Sequence, residues 1–206
     1  MDREWLIKGL ESYYGEYSCG LDFGTPYQLL VATILSAQCT DERVNQVTPA
    51  LFGRFPDAEA LASVTPGELE PWIASVNFYH NKAIHLVSAA RMIVSDFGGE
   101  VPGTMEELTR LPGVGRKTAN VVLSNAMGVP AIAVDTHVFR VSHRLGIARG
   151  KDPAETEQEL MLFFPKDKWS AAHHWLIWHG RKICKARKPL CAECPFLSQC
   201  PYEDKV

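Results

Sequence analysis

The chain has 206 residues, of which 46% are hydrophobic and 22% charged, with a formal net charge of −3. This is ordinary globular composition, enough for one domain or two small ones. Its start, Met1-Asp2-Arg3-Glu4-Trp5, has acids and no apolar run, which excludes a signal peptide, and no uninterrupted apolar stretch reaches the roughly 18 residues that a membrane helix needs. A soluble, cytoplasmic protein is expected.

In chain order, Asp2–Tyr14 reads as an amphipathic helix with Trp5, Leu6 and Leu10 inward, and Ser18–Gly24 as a turn-rich linker and candidate domain boundary. Thr25-Pro26-Tyr27-Gln28 opens a core helix running to about Ala37: a capping residue, Pro at the first position, Gln three residues after the cap. Thr40 or Asp41 caps the next helix, to about Phe55, and two short helices follow near Ala58–Ala62 and Pro66–Ile73. Ser75–His80 is a loop, and Asn81–Phe97 a longer helix ended by Gly98-Gly99. Three more helices are predicted after Asp135: Thr136–Leu145, Asp152–Phe164 and roughly Lys168–Ile183. His173, His174, Trp175, Trp178 and His179 on the last of these read as core side chains packed under the final cysteines rather than as a metal or stacking site. No alternating strand pattern occurs, so the fold class is all-α.

The most informative stretch is Leu111-Pro112-Gly113-Val114-Gly115-Arg116-Lys117-Thr118-Ala119. A short helix from a capping box at Thr104 and Glu107 precedes it, and a helix from about Gly115 to Ala126 follows, with Gly113 and Gly115 expected to allow a tight turn with positive φ. Free N–H groups at the start of the second helix would hold a phosphate oxygen without reading sequence. An isolated hairpin of this kind more often merely packs. Lys117 and Asp135, 18 residues further on, raise the interest. A Lys is a nucleophile only when neutral; desolvation by the apolar residues of the two helices, with Arg116 beside it, would favour that form. A neutral amine attacks a sugar C1′ and then forms a Schiff base, and a carboxylate stabilises the positive charge that develops on the sugar. Taken singly, Lys117 reads as an exposed surface group and Asp135 as the cap of the helix after it.

The charge is unevenly spread. Residues 1–100 hold 6 Lys and Arg against 13 Asp and Glu, a net of −7; residues 101–150 hold 6 against 3, a net of +3; residues 164–191 hold 7 against 1, a net of +6. Local potential attracts phosphates, and the two basic segments contain the hairpin and the cysteine cluster. Four of the six cysteines fall at Cys184, Cys191, Cys194 and Cys200, and Cys19 and Cys39 stand alone as small apolar residues. In a reducing compartment four clustered thiols read as metal ligands. Their spacing alone leaves zinc and a [4Fe–4S] cluster open.

The sequences Leu-Pro-Gly-Val-Gly-Arg-Lys-Thr-Ala and Val-Asp-Thr-His-Val-Phe-Arg-Val, with the closing four-cysteine motif, resemble the endonuclease III family. The resemblance runs from about Tyr27 to Cys200 and is close between Leu111 and Arg144. It implies two helical domains, a six-helix domain over about 21–130 with the helix-hairpin-helix and a second domain from residues 1–20 plus 131–206, with the DNA cleft between them. It decides the cysteines for a [4Fe–4S] cluster that presents Lys185, Arg187 and Lys188 to phosphate. It implies a bifunctional DNA glycosylase and AP lyase of base excision repair, removing oxidised pyrimidines through Lys117 and Asp135. Leu111, Gly113, Gly115 and Arg116 would then bind the backbone, while Gln38, Phe78 and His137 fill the gap left by the extruded base. The loop Val76-Asn77-Phe78-Tyr79-His80 departs from the Gly-Leu-Tyr type usual in the family. The partner implied is duplex DNA with damaged bases or abasic sites, bound by a monomer. Two alternatives are an adenine-type mismatch glycosylase, which lacks the Lys, and a non-catalytic binder of distorted DNA, which needs neither Lys117 nor Asp135.

Overall fold

A computed structural model describes residues 1–205, and among these the regular structure is helical. In chain order the α-helices are α1 (Arg3–Tyr14), α2 (Pro26–Ser36), α3 (Asp41–Arg54), α4 (Ala58–Ala62), α5 (Pro66–Ile73), α6 (Tyr79–Phe97), α7 (Met105–Leu108), α8 (Arg116–Ala126), α9 (Thr136–Arg144), α10 (Pro153–Phe163) and α11 (Trp169–Lys182). None is long and apolar enough to cross a membrane. The chain divides into two compact units, one of residues 19–129 and one of residues 1–18 with 130–206.

Residues 19–129 are organised around α2. Thr25 accepts a hydrogen bond from Gln28 N at 3.2 Å and Pro26 occupies the first turn, so this helix begins where its local chemistry dictates. Leu29, Leu30, Val31, Ala32, Ile34 and Leu35 are all buried, because α3, α6 and α8 surround it. Thr40 caps α3, Asp57 caps α4, and Thr65 with Glu68 forms a complete capping box on α5. Each such cap is worth about 1 kcal/mol. α4 and α5 lie on α6. That helix starts at Tyr79, two residues earlier than the sequence pattern predicts, because Phe78 takes a left-handed conformation and its carbonyl accepts from Lys82 N at 3.1 Å.

The other unit joins the two ends of the chain. α1 packs on α11, α11 on α9, and α9 on α10. Leu6 and Leu10 from α1 meet Val138 and Val141 from α9, Leu160 from α10, and Trp175 and Leu176 from α11 in one core. Trp5 is only half-buried, and Tyr14 takes the inward place beside Leu6 and Leu10.

Candidate nucleic-acid interface and four-cysteine centre

In residues 19–129 the hairpin is built by burial and backbone bonding. Thr104 caps α7, and the chain turns through Leu111 N to Leu108 O at 3.1 Å and Val114 N to Leu111 O at 3.0 Å. Leu111 and Val114 are buried and pin the turn from beneath. Gly113 has φ +80°, and a Cβ there would stand 2.9 Å from Cβ of His85 on α6, so both conformation and space require glycine. Gly115 differs. It is the N-cap of α8 in an extended conformation, and a Cβ would meet nothing within 4 Å. No side chain caps the first N–H groups of α8, so Gly115 leaves the helix N-terminus open to an external anion.

Lys117 and Arg116 are exposed in the first turn of α8. The expectation that the two helices bury the Lys117 stem is not met. α8 turns Ala119, Val122 and Leu123 inward, and residue 117 lies two positions from 119, about 200° around the helix.

Gln38 and Phe78, both expected at the DNA, lie in the same unit and share a rare backbone state. Their φ angles are +54° and +58°, and among the described residues the third such non-glycine is Lys188 at +50°. A left-handed non-glycine costs about 1 kcal/mol or more and persists where its surroundings enforce it. Phe78 is 60% exposed and so is not a core residue. The surroundings that enforce these turns involve Lys82 and Asn77, neither of which was singled out in the sequence. Lys82 is 5% exposed and its Nζ donates to Leu35 O at 2.8 Å and Ala37 O at 2.7 Å, the last carbonyls of α2. Burial holds its pKa below the usual lysine value.

In the other unit, Asp135 is the N-cap of α9. Its Oδ1 accepts from His137 N and Val138 N, both at 2.8 Å, which fixes the half-buried carboxylate. His137 follows, half-buried, with Nδ1 3.2 Å from Nη2 of Arg140. A guanidinium has no acceptor, so Nδ1 accepts and the neutral ring carries its proton on Nε2. Burial is the main cause holding the His137 pKa down, against the opposing charge of Asp135. Arg140 also reaches Gly180 O and Cys184 O, each at 3.1 Å, tying α9 to the first cysteine. Gly180 leaves little room there: a Cβ would lie 3.0 Å from Val141 Cγ2 and 3.1 Å from both His137 Cβ and Arg140 Nη2.

The four cysteines expected as ligands surround one cavity together with Arg144, Leu145, His179 and Ile183. Arg144 Nη1 lies 3.6 Å from Cys184 Sγ and donates to Lys185 O at 2.7 Å, while its guanidinium stacks 4.4 Å from the Tyr202 ring centre. His179 Nε2 lies 3.8 Å from Cys194 Sγ, and its Nδ1 pairs with Tyr14 Oη at 2.9 Å. Burial, and then the three other thiols, push the Cys194 thiol up; four thiolates facing one cavity require a cationic centre to hold them ionised. Among the described residues no three donors close on a point that would hold a single metal ion. Four cysteine thiols lining one cavity are the donor set that an iron–sulfur cluster takes. Lys185, Arg187 and Lys188 stand exposed on the loop between the first two cysteines. As the sequence predicts, His173, His174 and Trp175 are core residues; Trp178 is half-exposed, stacked on Tyr17 at 4.7 Å and covered by the Arg181 guanidinium at 5.3 Å.

Residues 31–166 match the family of HhH-GPD superfamily base excision DNA repair proteins, and residues 184–200 match the iron-sulfur binding domain of endonuclease III. The chain is 56% identical over 183 residues to Endonuclease III of Synechocystis sp., across 88% of this chain and 84% of the relative. It is 42% identical over 186 residues to Endonuclease III of Escherichia coli strain K12, across 90% and 88%. A solved trapped endonuclease III-DNA covalent intermediate, an estranged-adenine complex, superposes with a TM-score of 0.92 at 44% identity, over 98% of this chain and 96% of that one.

Proposed function

This chain belongs to the endonuclease III family, and from that premise we propose that it is a base excision repair enzyme, a DNA glycosylase and abasic-site lyase for oxidised pyrimidines in duplex DNA. The observation that carries the reading is the hairpin: an uncapped helix N-terminus behind two glycines, with an exposed Lys117 in the first turn. The α8 N–H groups take a backbone phosphate and set the register of the duplex. Lys117 Nζ attacks C1′ of the damaged nucleotide; the bond from C1′ to the base breaks and the base leaves with its electron pair and a proton. The amine loses its proton, the sugar opens to a Schiff base, and loss of a C2′ proton expels the 3′ phosphate oxygen. Water then releases Lys117. Because Lys117 is exposed in the free protein, the DNA itself must exclude water from the amine.

Asp135 faces the positive charge that develops on the sugar, a contribution that is largest in the transition state. Its cap on α9 holds it ready. Gln38, Phe78 and His137 occupy the space that the extruded base leaves. The [4Fe–4S] cluster, held by Cys184, Cys191, Cys194 and Cys200, supplies a structural staple that fixes the loop bearing Lys185, Arg187 and Lys188 against phosphate. The enzyme acts as a monomer.

Borohydride trapping on abasic duplex tests the reading. Lys117→Gln should abolish both the trapped adduct and strand nicking while damaged-DNA binding persists. An undiminished yield of adduct would remove Lys117 as the nucleophile.

A further inference from the structure

Residues 19–129 contain a polar device that neither the chemistry nor the core requires. We propose that Asn77 is a positioning residue for base extrusion: its side-chain amide clasps the Gln38 turn to the Phe78 turn, so that the two side chains enter the duplex as one preset pair. The inference rests on the reading of Gln38 and Phe78 given above.

The clasp is a single hydrogen bond between segments distant in sequence. Asn77 Nδ2 donates to Gln38 O at 2.7 Å. Both ends are turns held in the left-handed region without glycine, at φ +54° for Gln38 and +58° for Phe78. Neither conformation is the backbone's own preference, so each persists because something holds it. The holding groups form one frame. Lys82 Nζ binds the carbonyls of Leu35 and Ala37 at 2.8 and 2.7 Å, fixing the chain just before Gln38. Those carbonyls are unpaired acceptors at a helix C-terminus, where a cation is favoured. Lys82 N also donates to Phe78 O at 3.1 Å, so the same residue closes the first turn of α6 behind Phe78. Asn77 is the remaining tie, and it acts from the exposed side, at Gln38 itself.

An Asn immediately ahead of a helix usually serves that helix's own N-terminus. α6 has no side-chain cap; its neighbouring amide goes to the Gln38 turn. The frame also reaches the hairpin, because His85, one turn beyond Lys82 on α6, is the residue against which Gly113 packs. Two exposed side chains on rigid turns are thereby set relative to each other and to the phosphate-binding glycine. Inserting a pre-set pair into a stacked duplex avoids the ordering cost that two independent loops would incur at that moment.

The test compares base release under single-turnover conditions from two duplexes carrying thymine glycol. In one the lesion is fully paired and stacked; in the other it sits in a small mismatched bubble and is already unstacked. Asn77→Ala should slow release from the paired duplex about five- to tenfold, the order of one hydrogen bond. It should change the bubble substrate by less than twofold. Asn77 is exposed, so the variant should melt within a few degrees of the parent, which thermal denaturation checks. Equal slowing on both substrates, or none on either, overturns the proposal. Gln38→Ala and Phe78→Ala measured alongside separate the two levels of failure. If both leave the paired duplex unaffected, the insertion reading fails and takes the clasp with it. If they slow it and Asn77→Ala does not, only the clasp fails.

Discussion

The glycine hairpin and the four-cysteine loop are both short segments that present cations outward, and they are held in opposite ways. At the hairpin, Leu108, Leu111, Val114, Ala119 and Val122 are all buried and the turn closes on its own backbone bonds. Among residues 185–205 only Phe196 is buried, and the regular structure is two three-residue turns of 3₁₀ helix, Cys191–Glu193 and Leu197–Gln199. Ordering backbone costs about 1–2 kcal/mol per residue, which one phenylalanine packed on Trp5 and His179 does not offset. A loop that presents cations can therefore be preformed by a core or by a bound centre, and this protein uses one method in each unit.

The largest expected effect follows from removing the centre. Cys194→Ala should lose the cluster and leave residues 185–205 without protection in hydrogen exchange. The thermal midpoint of their unit should drop by on the order of 10 °C or more, since bound metal centres of this kind supply folding free energy directly. The amides of residues 108–123 should keep their protection. If both segments lose protection together, the hairpin depends on the cluster and the contrast between them is false.

The reciprocal change attacks the core. Leu111 is 2% exposed, and Leu111→Ala should cost about 2–4 kcal/mol in chemical denaturation by leaving a cavity under the turn. Iron content and the visible absorption of the cluster should stay at the parental level. A parallel loss of iron would show that the two segments are not independently held.

The contrast also sorts what could be read in the sequence. Helix starts were legible because they rest on local chemistry: Thr25, Thr40, Thr104, Asp135 and Asp152 all cap where their side chains predict. The hairpin was legible for the same reason, since Gly113 announces a positive φ. The left-handed turns at Gln38 and Phe78 were not, because neither carries a glycine, and the Gln38 turn is tied by Asn77 and Lys82 from about forty residues further along the chain. Lys82 in particular reads as a surface cation until its two carbonyl partners are seen. The place of Lys117 on α8 was misjudged for a geometric reason: apolar neighbours in sequence do not cover a residue on the opposite face.

The smallest effect concerns acid, and it too separates the units. His80 and His85, the histidines of residues 19–129, are exposed, whereas His173, His174 and His179 in the other unit are buried. Burial pushes His174 down to about 3 and His179 to about 4. An unfolded histidine titrates near 6.5, so these groups bind protons in the unfolded chain before they do in the folded one. Their contribution is fully present above about pH 6.5 and is lost as pH falls from there toward the folded values. One such histidine costs up to about 1.4 kcal/mol per pH unit in that window, or roughly 2 kcal/mol between pH 6.5 and 5. His174→Gln keeps a polar side chain and removes the titration. It should reduce the fall in stability over that interval by up to this amount, whatever it does to stability at neutral pH. Acid also protonates cluster thiolates, but it does so in parent and variant alike, so the difference in slope between the two isolates His174. Parallel slopes in denaturation series at pH 6.5, 5.75 and 5 would mean that His174 is already solvated or charged in the folded protein.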